Sequence, residues 1–301
     1  MSLVNDPHSQ IFVGSSDNFW LWNHDSGWDL THPPSPTAPP VQPRLSLECH
    51  VGNVTLDPAK TALIIIDMQN FSLCSALGDV APSVLSAEDK LLQHGIPAAR
   101  KAEIQIVWLN WGLDEEDLSR LPPSTIRAFG WDTECTSVDY DLFRSPSHGN
   151  EVTKRRAEMP TGRHPGSELG IVTLPNGTEI DAGRVLMKGS WNSDLHLPLS
   201  SAFSEGQIAA RPDVIIHKNR NSGLYSSKCS LTRFLEREGI RILLFAGINT
   251  DQCVMGTLQD AHARGFDTIL LRDGCATDSP IYTQQNAEWN CCMAWGFLSS
   301  C

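Results

Sequence analysis

The feature that most limits what this chain can become is a recurrence of short β-rich apolar runs separated by longer amphipathic stretches, beginning at Thr61. The runs Ala62–Ile66, Ile104–Leu109, Val214–His217, Ile242–Ala246 and Thr268–Leu271 are mostly apolar rather than alternating, as strands buried on both faces tend to be. Parallel neighbours cannot be joined by tight turns, so each needs a crossover. Helical patterns fill those gaps: Ser83–Lys101 with a break at Pro97, Ser230–Glu238 ending at Gly239, Cys253–Arg264 ending at Gly265, and a last amphipathic stretch Tyr282–Trp295. The pattern predicts an α/β fold, with a mostly parallel sheet covered by helices on both faces.

Two segments fall outside this rhythm. Residues 1–60 place Trp20, Trp22 and Trp28 among Asn, Asp and Ser, followed by the proline-rich Thr31–Pro43. They read as an extended N-terminal arm that lies on the body or on a neighbouring subunit, because three tryptophans are too much apolar surface for a solvated tail. The body then runs over residues 61–301. Within it, residues 114–211 are rich in Gly, Pro, Ser and charge, carry a short strand candidate at Ile171–Leu174, and read as a long insertion able to form a lid or pocket wall.

In an open parallel sheet, ligands bind beyond the carboxyl ends of the strands. Those ends here are chemically varied. The first delivers Asp67, Gln69 and Asn70, the second Asn110 and Trp111, and the third His217 and Lys218. The fourth passes through Gly247-Ile248-Asn249-Thr250-Asp251-Gln252 into Cys253. Taken singly, each has an ordinary explanation: Asp67 as a helix cap, Asn110 as a turn former, Lys218 as a surface lysine, a cysteine as a small core residue. Their convergence on one sheet edge is what points to chemistry.

Nine cysteines, at 49, 74, 135, 229, 253, 275, 291, 292 and 301, leave at least one unpaired within the chain. Cys253 stands apart because it follows a strand and a glycine turn and opens a helix, where unpaired N–H groups and a nearby lysine are expected to lower a thiol pKa. Cys74, just beyond Asp67, is its competitor, while the adjacent Cys291 and Cys292 read as packing. A thiolate at Cys253 would attack a planar carbon, with Asp67 moving the proton and Lys218 holding both charges. The turn Gly247–Cys253 offers backbone N–H groups for the oxyanion.

These residues carry a resemblance. Ala62-Leu-Ile-Ile-Ile-Asp67-Met-Gln-Asn, then Lys218, then Ala246-Gly-Ile-Asn-Thr-Asp-Gln-Cys253-Val is similar to the isochorismatase-like cysteine hydrolases, over most of Thr61 to Ser299. The resemblance implies a Rossmann-like three-layer α/β/α fold and an Asp67-Lys218-Cys253 triad. It also implies a cis peptide between Ile248 and Asn249, with the N–H groups of Asn249 and Cys253 as oxyanion hole. Nicotinamidases carry an Asp-x-His metal motif after the second strand; this chain has Asn110-Trp111-Gly112 there, so no metal and no cofactor are expected. Ureidoacrylate and N-carbamoyl amidohydrolases look closer, through Asn110, the block Lys188-Gly189-Ser190-Trp191, and the step Ser222-Gly223-Leu224-Tyr225.

The expectation is a cysteine-dependent hydrolase cleaving a C–N bond in a small linear amide or ureido compound through a thioester-type intermediate, with Asn70, Phe71, Asn110, Trp111 and Tyr225 lining the substrate pocket. The alternative is vinyl-ether hydrolysis of isochorismate, which proceeds by protonation and leaves the thiol unused. A non-catalytic binding module is a third reading, and it would be marked by a lost triad member; none is lost. With 35 acidic against 23 basic residues, and no apolar run near the roughly 20 residues of a membrane span, neither nucleic acid nor membrane is an expected partner. The first residues lack a basic and then apolar leader pattern, which points to a reducing cytoplasm. The resemblance further implies a homodimer or homotetramer.

Overall fold

The protein is described from a computed structural model, which covers residues 10–133 and 158–301. Residues 1–9 of the expected arm, and residues 134–157 of the expected insertion with Cys135, lie outside the described residues.

The body is built on a six-stranded sheet. Its strands are β6 (Thr61–Ile66), β7 (Gln105–Trp111), β12 (Val214–Lys218), β13 (Ile242–Ile248), β14 (Asp267–Ala276) and β15 (Phe297–Ser299), in the order β12-β7-β6-β13-β14-β15. Every pairing is parallel. The order runs outward in one direction from β6 and in the other from β13, so the sheet reverses between those two strands. That reversal is the topological switch point at which doubly wound sheets leave a crevice.

Alternation along the strands divides the interior into two layers. Leu63, Ile65, Trp108 and Ile248 belong to one apolar cluster, and Ile64, Ile66, Leu109 and Phe245 to the other. Helices cover both faces, giving the three-layer α/β/α arrangement that the run pattern requires. Pro97 does not break its helix. The helical run passes from Pro82–Lys90 through a π turn at Leu91–Gly95 into Ile96–Lys101, so the proline, which has no N–H to give, sits where the regular ladder is already interrupted. Strand β15 was not legible from the sequence because three residues carry no periodicity.

Where the sequence reads as an arm, the structure shows a second sheet. Strands β1 (Ile11–Gly14), β2 (Phe19–Asn23), β3 (Gly27–Asp29), β4 (Leu45–Cys49) and β5 (Gly52–Leu56) pair in the order β1-β2-β3-β5-β4. The physical reason is a period-two alternation hidden among the tryptophans: Phe19 and Leu21 are buried on one face, and Trp20 lies on the other. Trp20 and Trp28 pack on Phe297 with ring centroids 5.2 Å and 6.0 Å away. Asp267, buried at the start of β14, accepts from Trp20 Nε1 at 2.7 Å and meets His32 Nε2 at 2.6 Å. The segment thus closes one end of the body through β14 and β15, and its proline-rich stretch forms the connection between β3 and β4.

Two short antiparallel pairs, β8 (Trp131–Thr133) with β9 (Glu158–Pro160) and β10 (Ile171–Thr173) with β11 (Glu179–Asp181), punctuate the insertion. Among the described residues, no helix is long and apolar enough to cross a membrane.

Candidate active site

Asp67, Lys218 and Cys253 meet at the carboxyl end of the sheet, beside the switch point. Asp67 follows β6 directly and takes a left-handed backbone conformation, with φ of 54°, while its N–H donates to Leu109 O at 3.0 Å. This bend brings the carboxylate over the end of β7, where Oδ1 accepts from Trp111 N at 3.2 Å and Oδ2 faces Lys218 Nζ at 2.9 Å. Lys218 ends β12. Its Nζ donates to Cys253 Sγ at 3.4 Å and to Arg220 O at 3.2 Å, and it sits 3.9 Å from the centroid of the Trp111 ring. The indole face is thus a further counterpart to the ammonium.

Cys253 is held by the turn after β13. The peptide between Ile248 and Asn249 is cis, where the resemblance puts it, and Cys253 follows in a π turn, Thr250–Val254, ahead of the helix Met255–Ala263. Gly247 lets β13 run against β6 at this point. With φ of 111°, a Cβ there would come within 2.1 Å of Ile66 O, so only glycine fits. Side chains from the segment after β14 brace the turn: Asn249 Nδ2 donates to Asp278 Oδ1 at 2.8 Å, and Thr277 Oγ1 to Asp251 Oδ1 at 2.6 Å. Asn249 and Cys253, expected to supply oxyanion N–H groups, both lie in this braced turn.

Burial governs the electrostatics. All three triad residues are buried. The Cys253 thiol is pushed up to about 12, first by burial and further by the adjacent Asp67 carboxylate, with Lys218 opposing. Burial also raises Asp67 above the ordinary carboxylate range, against the pull of Lys218 and the hydrogen bonds from Cys253, Lys218 and Trp111. The expectation of a lowered thiol pKa at Cys253 is therefore corrected. A thiolate taken out of water loses more than a helix start and one lysine return when a carboxylate shares that lysine. The resting pair is a thiol beside a base, not a preformed thiolate.

Two contributors were not among the expected site residues. Gln69 accepts from Trp111 N at 2.9 Å and donates to Trp111 O at 2.8 Å and Ser193 O at 2.6 Å, tying the ends of β6 and β7 to the insertion. Its place two residues after Asp67 was the available signal. Phe129, on the helix Pro123–Gly130, packs edge-on against Trp111 at 5.4 Å and Phe71 at 6.1 Å between ring centroids. Its spacing from Ile126 shows an apolar helix face but does not show what that face meets.

The five expected substrate residues do not share one pocket. Phe71 and Trp111 stand with Phe129 on the Lys218 side of the sheet. Tyr225 is 48% exposed, and its hydroxyl donates to Asn219 Oδ1 at 3.1 Å. Asn70 and Asn110 line a cavity of about 990 Å³ whose walls include none of the triad. Register explains the separation. Lys218 pairs with Trp111 and His217 with Asn110, and successive residues on a strand point to opposite faces. Cys74 lies in that cavity too, so it does not compete with Cys253 for the triad. Among the described residues, no group of three or more His, Cys, Asp or Glu is arranged to hold a metal ion.

Comparison with known proteins bears on this architecture. Three solved structures share the fold. The nicotinamidase PncA from Bacillus subtilis is 17% identical, over 80% of this chain and 99% of that one, at a TM-score of 0.51. The pyrazinamidase/nicotinamidase from Streptococcus mutans UA159 is 17% identical, over 79% and 99%, at 0.51. An isochorismatase family protein from Desulfovibrio vulgaris is 17% identical, over 80% and 94%, at 0.50. These likenesses define a Rossmann-like α/β/α protein. Residues 182–290, which carry β12, β13 and the Cys253 turn, match the isochorismatase domain model. Over that stretch the chain is similar to isochorismatase domains.

Proposed function

We propose that the protein is a cysteine-dependent hydrolase that cleaves a C–N bond in a small linear amide or ureido compound. The observation that carries this reading is the buried chain Asp67–Lys218–Cys253, with a base and a thiol on one ammonium. Asp67 takes the proton from Cys253 as the sulfur attacks the carbonyl carbon, and its raised pKa makes it a stronger base than an exposed carboxylate. Lys218 keeps the separated charges in place. Negative charge on the carbonyl oxygen is received by the N–H groups of Asn249 and Cys253, donors of a kind typically worth about 3 kcal/mol each. Asp67 then passes its proton to the leaving nitrogen, a thioester remains on Cys253, and water activated by Asp67 releases the acid. Phe71, Phe129 and Trp111 form the wall beside Lys218.

One observation favours a second reading. A carboxyl group with a raised pKa can also donate a proton, as vinyl-ether hydrolysis of isochorismate requires. Ammonia release from ureido acids, N-carbamoyl amino acids and nicotinamide, with isochorismate turnover measured separately, distinguishes the two. The amidohydrolase reading expects ammonia release that both Cys253→Ala and Asp67→Asn abolish. Isochorismate turnover that survives Cys253→Ala and is lost in Asp67→Asn would reject it.

A further inference from the structure

The cavity of about 990 Å³ behind the sheet is at the upper end of the size range of small-molecule sites, and it is not the crevice of the triad. Its inner end is polar. Asn110 is 2% exposed, it lines the cavity, and its Oδ1 has no hydrogen-bond partner among the described residues. A buried acceptor left without a partner is unfavourable, and such groups call for an explanation. His217 stands beside Asn110 across the β12–β7 pairing. Its ring rests on the bare Cα of Gly112, where a Cβ would lie 2.3 Å from Nδ1. Burial, with the neighbouring Lys188 ammonium, holds His217 below the ordinary histidine pKa, so the imidazole is neutral; Lys188, Asp194, His196 and Cys74 are the other ionisable side chains in the walls. The remaining walls are largely apolar, with Leu85, Phe203 and Ile215 among them.

We propose that this cavity is a second small-molecule site, on the sheet face opposite Cys253, for an apolar molecule whose polar end carries a hydroxyl or amide donor beside a carboxylate. The donor satisfies Asn110 Oδ1, the carboxylate faces Lys188, and the apolar body lies along Leu85, Phe203 and Ile215. A molecule with the carboxylate alone leaves Asn110 unpaired and desolvated. The donor therefore discriminates more than the chain length does.

2-Hydroxyoctanoate has these three parts and no bond for an amidohydrolase to cut, so its binding is separate from turnover. Calorimetric titration of the native protein should show a single saturable site for it, with octanoate about tenfold weaker, the equivalent of one 1.4 kcal/mol step. Asn110→Ala should remove that difference. Lys188→Gln, at an exposed position where folding is not at stake, should remove the advantage of the acid over 1,2-octanediol. Bound ligand should also shield Cys74, which lines the cavity, from maleimide. Protein carboxamidomethylated at Cys253 should bind as the native protein does. Absence of saturable binding at millimolar concentration, an unchanged preference in both variants, or loss of binding on Cys253 modification would each overturn a separate second site.

Discussion

Replacing Lys218 with Met tests the electrostatic core of the site most directly. The side chains of Lys218 and Asp67 are 1% and 7% exposed, at 2.9 Å. An exposed ion pair at that distance is worth at most about 1 kcal/mol, whereas removing one partner of a buried pair typically costs about 3–5 kcal/mol, because a buried charge is left behind. The loss should depend on pH in a defined sense. Burial already raises Asp67 in the folded protein, so between the unfolded and folded pKa values the native state binds more protons, and stability falls as pH rises through that window. Lys218 is the largest influence holding Asp67 down, so Lys218→Met extends the window upward and deepens the fall. Urea denaturation at pH 5 and pH 8 should show the variant losing about 3–5 kcal/mol at pH 8 and less at pH 5. The double variant Asp67→Asn/Lys218→Met, which buries no charge, should recover most of that loss. A single variant within 1 kcal/mol of the native protein at pH 8, or a double variant no better than the single, would refute the reasoning.

Two further outcomes follow from the site. With its thiol pushed up to about 12, Cys253 in the free protein should react with iodoacetamide at a rate that keeps rising about tenfold per pH unit from 7 to 10; a plateau near pH 8, read by peptide mapping, would show a preformed thiolate instead. Gly247→Ala should lose on the order of 3 kcal/mol or more, because the new Cβ meets Ile66 O at a φ of 111°, and a thermal melt close to that of the native protein would contradict the tight β6–β13 approach.

The grouping of the candidate residues was legible because strand ends can be read from apolar runs, and the groups that end them are local. Asp67, Lys218 and Cys253 each follow such a run by one step or a short turn, so a parallel sheet had to collect them on one edge. The protonation state was not legible. Proximity of a lysine and a helix start argues for a thiolate, and only the depth of burial and the Asp67 carboxylate on the same ammonium reverse the sign. The N-terminal sheet escaped notice because prolines and polar residues mask its strands, and what stabilises them is contact with β15 and Asp267, more than 200 residues away in sequence.

The amino-acid sequence by itself determined the layered α/β class, the places of five main strands and the convergence of Asp67, Lys218 and Cys253 on one sheet edge, since these depend on local periodicity and on what stands next in the chain. Only the tertiary structure decided which neighbours act together. Asn110 and Trp111 are adjacent in sequence, and so are His217 and Lys218, but the pleat sends one of each pair to either side of the sheet. Trp111 and Lys218 join the thiol, while Asn110 and His217 face the cavity behind it.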